Sequence, residues 1–579
     1  MVLRLLLLAA SVAALASAQA QTNGASFFEQ SIQAAQQAQA QNDFGVAAEH
    51  YARALKFHPE IAELHANLGL MDYELGKQPE ATEQFKAALR LKPSLFVPNL
   101  FLGLQYLNTN KASIALPFLL RAQNANPQDL QAALALGRAH SMSGEYGKAA
   151  ASYMRAASLK PDSEDVWYGL GISYMNQSEL AASALAKNGK DSTYFRVLTA
   201  EYLDEKGQSS DAVAKFRTVV SDAPSSLCSH AGLGFALLHI GELAEAEAEF
   251  RKDAANEPCV ASGGIGLARV EVEKGDPKEA LNVLTPALSK DPKRTDAHLF
   301  QIWKDLPPGK AALLETAIRE SQSDVATALL RARDRGETGD IFSAKPADMK
   351  DMAEAYWSGD YVSAAATGER LSRARAPDPA VLYWTAKASR KLALGALARA
   401  GTIAPDSPRI HLILGDLYRQ KNKYAEAEDE FQKSLAIQPG NLGGLLGLAT
   451  TYYMDAKYEP AAARSRDALE RSPHDPEANL LMAEIQIAQH HYTEAEPYLQ
   501  LDISGARPEV VARVHAVKGK LYAATGRSAD AVNELKQALD YDEDGSLQYV
   551  LGKQYQKLGD EKAATAAFER SKTLRSRQQ

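Results

Sequence analysis

The stretch LILGDLYRQKNKYAEAEDEFQKSLAIQP, residues 412–439, decides the fold. Pro439 closes it, and further prolines stand 34 residues to either side, at Pro405 and Pro473. Counting back from Pro439, Phe431 lies eight residues before it, Ala427 twelve and Gly415 twenty-four. The same residue types recur at these offsets along the chain. Pro59, Pro93, Pro127 and Pro161 form a second ladder at the same interval, and Pro224, Pro258 and Pro292 a third. Ala47, Ala81, Ala115, Ala149, Ala212, Ala246 and Ala280 hold the small position. Tyr51, Phe85, Leu119, Tyr153, Phe216, Phe250 and Leu284 hold the bulky one, and Gly69, Gly103, Gly137 and Gly234 the glycine.

The pattern is that of a helical hairpin. Small residues let two antiparallel helices approach, and the bulky side chain fills the space between them. Glycine at the tip (Gly76, Gly144, Gly241, Gly275) supplies the backbone conformation of a tight turn. Proline ends the second helix, because its ring blocks the preceding turn and it has no N–H to give. A hairpin cannot bury its apolar face alone, so such units stack.

A repeat of this length and pattern resembles the tetratricopeptide repeat family. The segment WYGLGISY (167–174) carries the family's W-x2-L-G-x2-Y motif in full, through Trp167, Leu170, Gly171 and Tyr174. The resemblance covers most of residues 28–299 and 345–579. It implies an all-α fold: an α-solenoid of tandem helix-turn-helix repeats in a right-handed superhelix, about 15 units in two arrays. The N-terminal array is expected over 28–299, a degenerate repeat and connector over 300–344, and the C-terminal array over 345–579. The unit starting at residue 164 is about five residues short, and its second half, ELAASALAKNGKDS, has lost the pattern. Another shortened unit is expected near residue 380.

The chain opens MVLRLLLLAASVAALASAQAQ. Arg4 precedes an apolar run from Leu5 to Ala16, and small-residue patterns follow at Ala16-Ser17-Ala18 and Ala18-Gln19-Ala20. This layout predicts a cleavable secretory signal over residues 1–20 and an exported protein, periplasmic or secreted. No other stretch is long and apolar enough to span a bilayer. The net charge of the 579 residues is −8, and loss of Arg4 with the leader would make it −9. A mildly acidic chain without a basic block argues against nucleic-acid binding.

No nucleophile elbow, H-E-x-x-H, phosphate-binding loop or dinucleotide fingerprint occurs. The expectation is therefore a protein that is not an enzyme and carries no cofactor and no metal. The twelve histidines show no repeated ligand spacing, and the His490-His491 pair falls at a hairpin turn. Trp167 and Trp384 fall at packing positions. The two cysteines, Cys228 and Cys259, begin the first helix and follow the second helix of one hairpin, ends that lie on the same side. A disulfide and a pair of separate thiols both remain open.

In the family, the first helix of each hairpin lines the concave face of the superhelix. Carried over position by position, the resemblance places Leu70, Tyr73, Val97, Leu100, Phe101, Leu104, Leu107, Leu134, Arg138, Tyr168, Ile172 and Phe235 on that face. An apolar strip of this extent suits an extended or helical segment of a protein partner. The competing expectation is that a tight superhelix buries part of the strip internally. In the C-terminal array the corresponding positions carry charge, among them Asp416, Arg419, Glu484 and Arg513, which would suit an adaptor in polysaccharide export or envelope assembly. The family's carboxylate clamp needs lysine and asparagine where this chain has Ala66 and Leu70, or Leu100 and Leu104. Recognition of chaperone C-termini is therefore not expected.

Overall fold

The computed structural model describes residues 22–576 other than 225, 257, 322, 338–341, 343–350, 373–377, 502–507 and 543. The leader expected over residues 1–20 lies outside the described residues; of the connector expected over 300–344 the greater part is described, as the helices Pro308–Ser321 and Asp324–Arg335. All regular structure among the described residues is helical, arranged as hairpins in tandem. Second helices end two residues before a ladder proline: Gln78–Leu91 before Pro93, Ala112–Ala125 before Pro127, Tyr424–Ile437 before Pro439. The chain falls into two compact units, Met1–Ser178 and Glu179–Gln579, and the division lies inside one long helix, Glu164–Asn188.

The glycine and bulky positions meet as their chemistry requires. In the first unit a Cβ at Gly103 would lie 2.4 Å from Leu119 Cδ2, so only hydrogen fits against that fully buried leucine. Hairpin tips use a left-handed residue, Gly76 at φ 73° and Gly144 at φ 72°; Asn110 at φ 57° does the same work without glycine. His490 is such a tip residue, at φ 64°, with its Nδ1 2.8 Å from the Tyr492 hydroxyl.

A ladder proline leaves its own carbonyl beyond the end of a helix, and the chain answers it six residues later. Asn99 Nδ2 donates to Pro93 O at 2.8 Å, Trp167 Nε1 to Pro161 O at 2.8 Å, and Asn479 Nδ2 to Pro473 O at 3.0 Å. His65 Nε2 lies 3.0 Å from Pro59 O. Three further histidines at the same position of their repeats, two of them six residues after a ladder proline, tie the two helices of their hairpin together. His230 Nδ1 is 2.5 Å from Glu249 Oε2, His411 Nδ1 2.7 Å from Glu430 Oε2, and His515 Nδ1 2.6 Å from Glu534 Oε2. Burial would raise Glu249 and Glu430, but Lys252 with His230, and Lys433 with His411, offset it and hold both carboxyls low. The histidines thus do share a spacing, though it is one of buried hairpin bolts and not of metal ligands.

Two elements depart from the hairpin expectation. Glu164–Asn188 runs as one helix of 25 residues where a hairpin turn would fall. The run ELAASALAKN offers neither a tip glycine nor a proline, and nothing in it stops a helix. Pro379–Ile403 is likewise one continuous helix of 25 residues, capped by the Asp378 carboxylate, which accepts from Ala380 N.

Cys228 and Cys259 are joined by a disulfide, with their Cα atoms 5.3 Å apart and 31 residues apart in sequence. Closing a loop of that length removes about 3.7 kcal/mol of chain entropy from the unfolded state.

Candidate protein-binding surface

In the first unit the first helices of successive hairpins, Ala62–Glu74, Phe96–Asn108 and Leu130–Met142, pack on one another in turn and bring several of the expected positions together in one apolar strip. At its centre the ring of Phe101 meets Tyr73 edge-on at 4.7 Å and stacks on Phe85 at 5.8 Å. Leu70 and Val97 pack on the same cluster, each half-buried. Leu104, Leu134, Tyr168 and Ile172 are also half-buried, and Arg138 is exposed.

Leu100 and Leu107 do not belong to this strip. Leu100 is 3% exposed and Leu107 0%, both packed in the core with Ala115, Leu119, Ala122 and Leu136. On a helix, residues seven apart lie nearly above one another, so Leu100 and Leu107 turn together toward the next hairpin. Phe235 belongs to the second unit, where it is half-buried and meets Phe250 edge-on at 4.9 Å.

The second unit treats one of its first helices differently. A face of Thr193–Glu205 is covered by the long helix Pro379–Ile403. Tyr194 and Tyr383 meet at 5.5 Å, and Lys387 Nζ lies 2.5 Å from Glu201 Oε1. Arg390 pairs with Glu205 one turn further along. The Lys387 ammonium also stands over the rings of Tyr356 and Tyr383, at 5.2 and 5.3 Å. Trp384, Trp357 and His298 extend the cluster, with His298 Nε2 3.1 Å from the Trp357 carbonyl. Glu337 bridges Lys304 and Lys391, each at 3.1 Å. Burial works to raise Glu337, and the two lysines hold it below the usual carboxylate range.

Burial pushes His298 down to about 3, helped by the positive charge of Lys391 and opposed by its bond to Trp357. For Lys387 burial pulls downward, but Glu201 and Tyr383 outweigh it and hold the amine charged. A shifted histidine and lysine in one buried cluster can mark a catalytic site. Here the lysine is neutralised by Glu201 and the histidine is a buried neutral ring against Trp357. Repeats of this kind typically serve as non-enzymatic scaffolds. In the C-terminal hairpins Arg419 pairs with Asp416 at 2.6 Å and Arg513 with Glu484 at 2.5 Å, so these charges satisfy each other.

Tandem hairpins whose first helices line an inner face define an α-solenoid, a class built for protein–protein interaction. Models of the tetratricopeptide repeat match residues 32–95, 197–257 and 387–441, 454–521 and 512–544, and a model described as TPR repeat matches 126–178. The chain belongs to the tetratricopeptide repeat family. No curated protein matches it. Among solved structures, MamA 41-end from Desulfovibrio magneticus RS-1 is similar at 21% identity and TM-score 0.24, over 25% of this chain and 83% of that one. YrrB, a TPR protein with an unusual peptide-binding site, is similar at 14% identity and TM-score 0.26, over 31% of this chain and 92% of that one. The Cut9–Hcn1 hetero-tetramer of the APC/C is similar at 14% identity and TM-score 0.30, over 95% and 87%. Likenesses of this size say nothing of partner or pathway. Among the described residues no helix is long and apolar enough to cross a membrane.

Proposed function

We propose that this chain is an exported scaffold that holds an extended or helical apolar segment of another protein against the inner strip of its first unit. The observation that supports the reading is the half-buried aromatic pair Tyr73–Phe101, flanked by Leu70, Val97, Leu104 and Leu134 on first helices that no further element covers among the described residues of that unit. Half-buried aromatic and aliphatic side chains on a rigid face are good anchors, because docking removes their remaining surface from water at little entropic cost. No covalent chemistry is involved. Export is supported by the leader pattern over residues 1–20 and fits a disulfide-bonded hairpin. The adaptor role in polysaccharide export finds less support, since the charges it would use are paired with each other.

The test is site-specific photocrosslinking in cells, with the crosslinker at Phe101, at Leu104 and at the exposed outer position Glu83. Partners captured from the first two positions and absent from the third are expected. A folded Phe101→Asp plus Leu104→Asp variant should lose them. Equal capture by the outer position, or undiminished capture by the double variant, refutes the assignment.

A further inference from the structure

Cys228 sits at the start of the helix Ser229–His239, and Cys259 at the start of Val260–Lys274. Each sulfur is thus held at a helix N-terminus, where unpaired backbone N–H groups favour negative charge on a departing thiolate. Between these helices runs Leu243–Ala254, and it brings Asp253 to the bridge. A carboxylate oxygen of Asp253 lies within 4.8 Å of both sulfurs, and all three residues are buried. Asp253 Oδ2 accepts from Ala231 N at 2.6 Å, which fixes the carboxyl in place. The backbone at the bridge is strained as well. Leu227 and Cys228 take φ of 55° and 52°, two successive residues in the left-handed region with no glycine.

The carboxylate that caps the first turn of Ser229–His239 thus also stands beside both sulfurs of the bridge. We propose that Cys228–Cys259 is a redox-active disulfide whose acid–base group is Asp253, and that its substrate is a dithiol or disulfide partner. A thiolate of the partner attacks one sulfur. The S–S bond breaks, and its electron pair leaves on the other sulfur, which takes the proton of the Asp253 carboxylic acid. The partner's second thiol passes its proton to Asp253 and attacks the mixed disulfide; the remaining cysteine leaves as a thiolate and takes that proton from Asp253, which ends as the carboxylate. The sum is one protein disulfide and one dithiol converted to two protein thiols and one partner disulfide. Read backward, Asp253 is the base that deprotonates the thiol during oxidation.

Burial pushes the Asp253 carboxyl up to about 6; the Ala231 N–H and the His230 charge oppose that, and Glu249 adds to it. Lys252, next to Asp253 in sequence, is paired with Glu249 on the same helix, and the Arg294 guanidinium donates to the Pro258 carbonyl beside Cys259. A carboxyl so placed is protonated in mild acid and ionised at neutral pH. It can therefore give or take a proton in the range where thiol exchange runs.

The experiment follows reduction of the intact protein by dithiothreitol between pH 4.5 and 8.5, with free thiols counted and rates divided by the concentration of attacking thiolate. The normalised rate should fall by about tenfold or more as pH rises through about 6. The fall should survive in His230→Gln and vanish in Asp253→Asn. Leu227→Gly, which relaxes the turn, should slow reduction several-fold while leaving the pH profile in place. A flat wild-type profile overturns the proposal, as does an inflection that persists in Asp253→Asn or disappears in His230→Gln. If Asp253→Asn does not fold, as judged by circular dichroism, the wild-type and His230→Gln profiles decide the matter.

Discussion

Replacing Glu201 by alanine would leave the Lys387 ammonium without its carboxylate. In the native structure the two are 2.5 Å apart, with side chains 28% and 16% exposed. Tyr383 Oη lies 3.2 Å from the same nitrogen, and two ring faces complete its surroundings. Those groups remain in the variant, but none carries a full negative charge. Breaking a buried ion pair from one side costs about 3–5 kcal/mol. Because Glu201 keeps more than a quarter of its surface in water, the lower end, about 3 kcal/mol, is expected. That is roughly 150-fold in the opening equilibrium of the helix Pro379–Ile403. Native-state hydrogen exchange on amides in the middle of that helix reads the change directly, because protection falls by the same factor. The companion variant, Glu201→Leu with Lys387→Met, removes both charges and should recover protection to within about 1 kcal/mol of wild type. Unchanged protection in Glu201→Ala would show that the pair does not hold the helix. A double variant no better than the single one would show that the loss is of shape and not of charge balance.

His298 gives a pH dependence of definite sign. Its folded value of about 3 lies below the ordinary 6.5, so between these values only the unfolded chain takes up the proton. The His298 contribution to the stability of the second unit is therefore complete above pH 6.5 and declines as pH falls, by about 2.7 kcal/mol at pH 4.5. Asp253, pushed up to about 6, changes in the opposite sense over the same range, so the quantity to follow is the urea unfolding free energy of wild type measured against His298→Phe, which should drop by that amount. At Gly266 a Cβ would lie 2.0 Å from Phe250 Cδ1, so Gly266→Ala should cost about 1–3 kcal/mol in thermal or urea unfolding. Phe250→Leu added to that background should recover part of the loss, and full stability of Gly266→Ala alone would refute the packing argument.

The fold was legible because its determinants are local and repeated. Proline spacing, small and bulky positions and tip residues all act within 34 residues, and a pattern met many times corrects for any one lapse. Where the pattern failed, at ELAASALAKN and near residue 380, a shortened hairpin was the natural expectation. The structure instead runs straight on as single helices, since no residue there stops one. The histidine bolts went unread, although His65, His230, His411 and His515 share one register relative to the repeat. Searching for metal-ligand spacings within one helix passes over a pairing that reaches nineteen residues to the next. The repeat register put Leu100 and Leu107 on the same face as Phe101 and Leu104, and it did not foresee that these two are buried in the core. A period alone cannot separate a residue facing the groove from one facing the next hairpin when both are leucine. The tie between Glu201 and Lys387 left no trace in the sequence, because nothing repeats across 186 residues.

That tie also sets a clock on biosynthesis. A solenoid of nearest-neighbour contacts can settle hairpin by hairpin as it emerges from the ribosome. The covered face of Thr193–Glu205 cannot, because its cover is made 186 residues later. At the usual rate of chain elongation the wait is about 10 to 40 s. Throughout that interval Tyr194 and Glu201 face solvent, or whatever chaperone attends the nascent chain. The second unit therefore passes through a stage at which most of its hairpins can stand while one apolar face still waits for its lid.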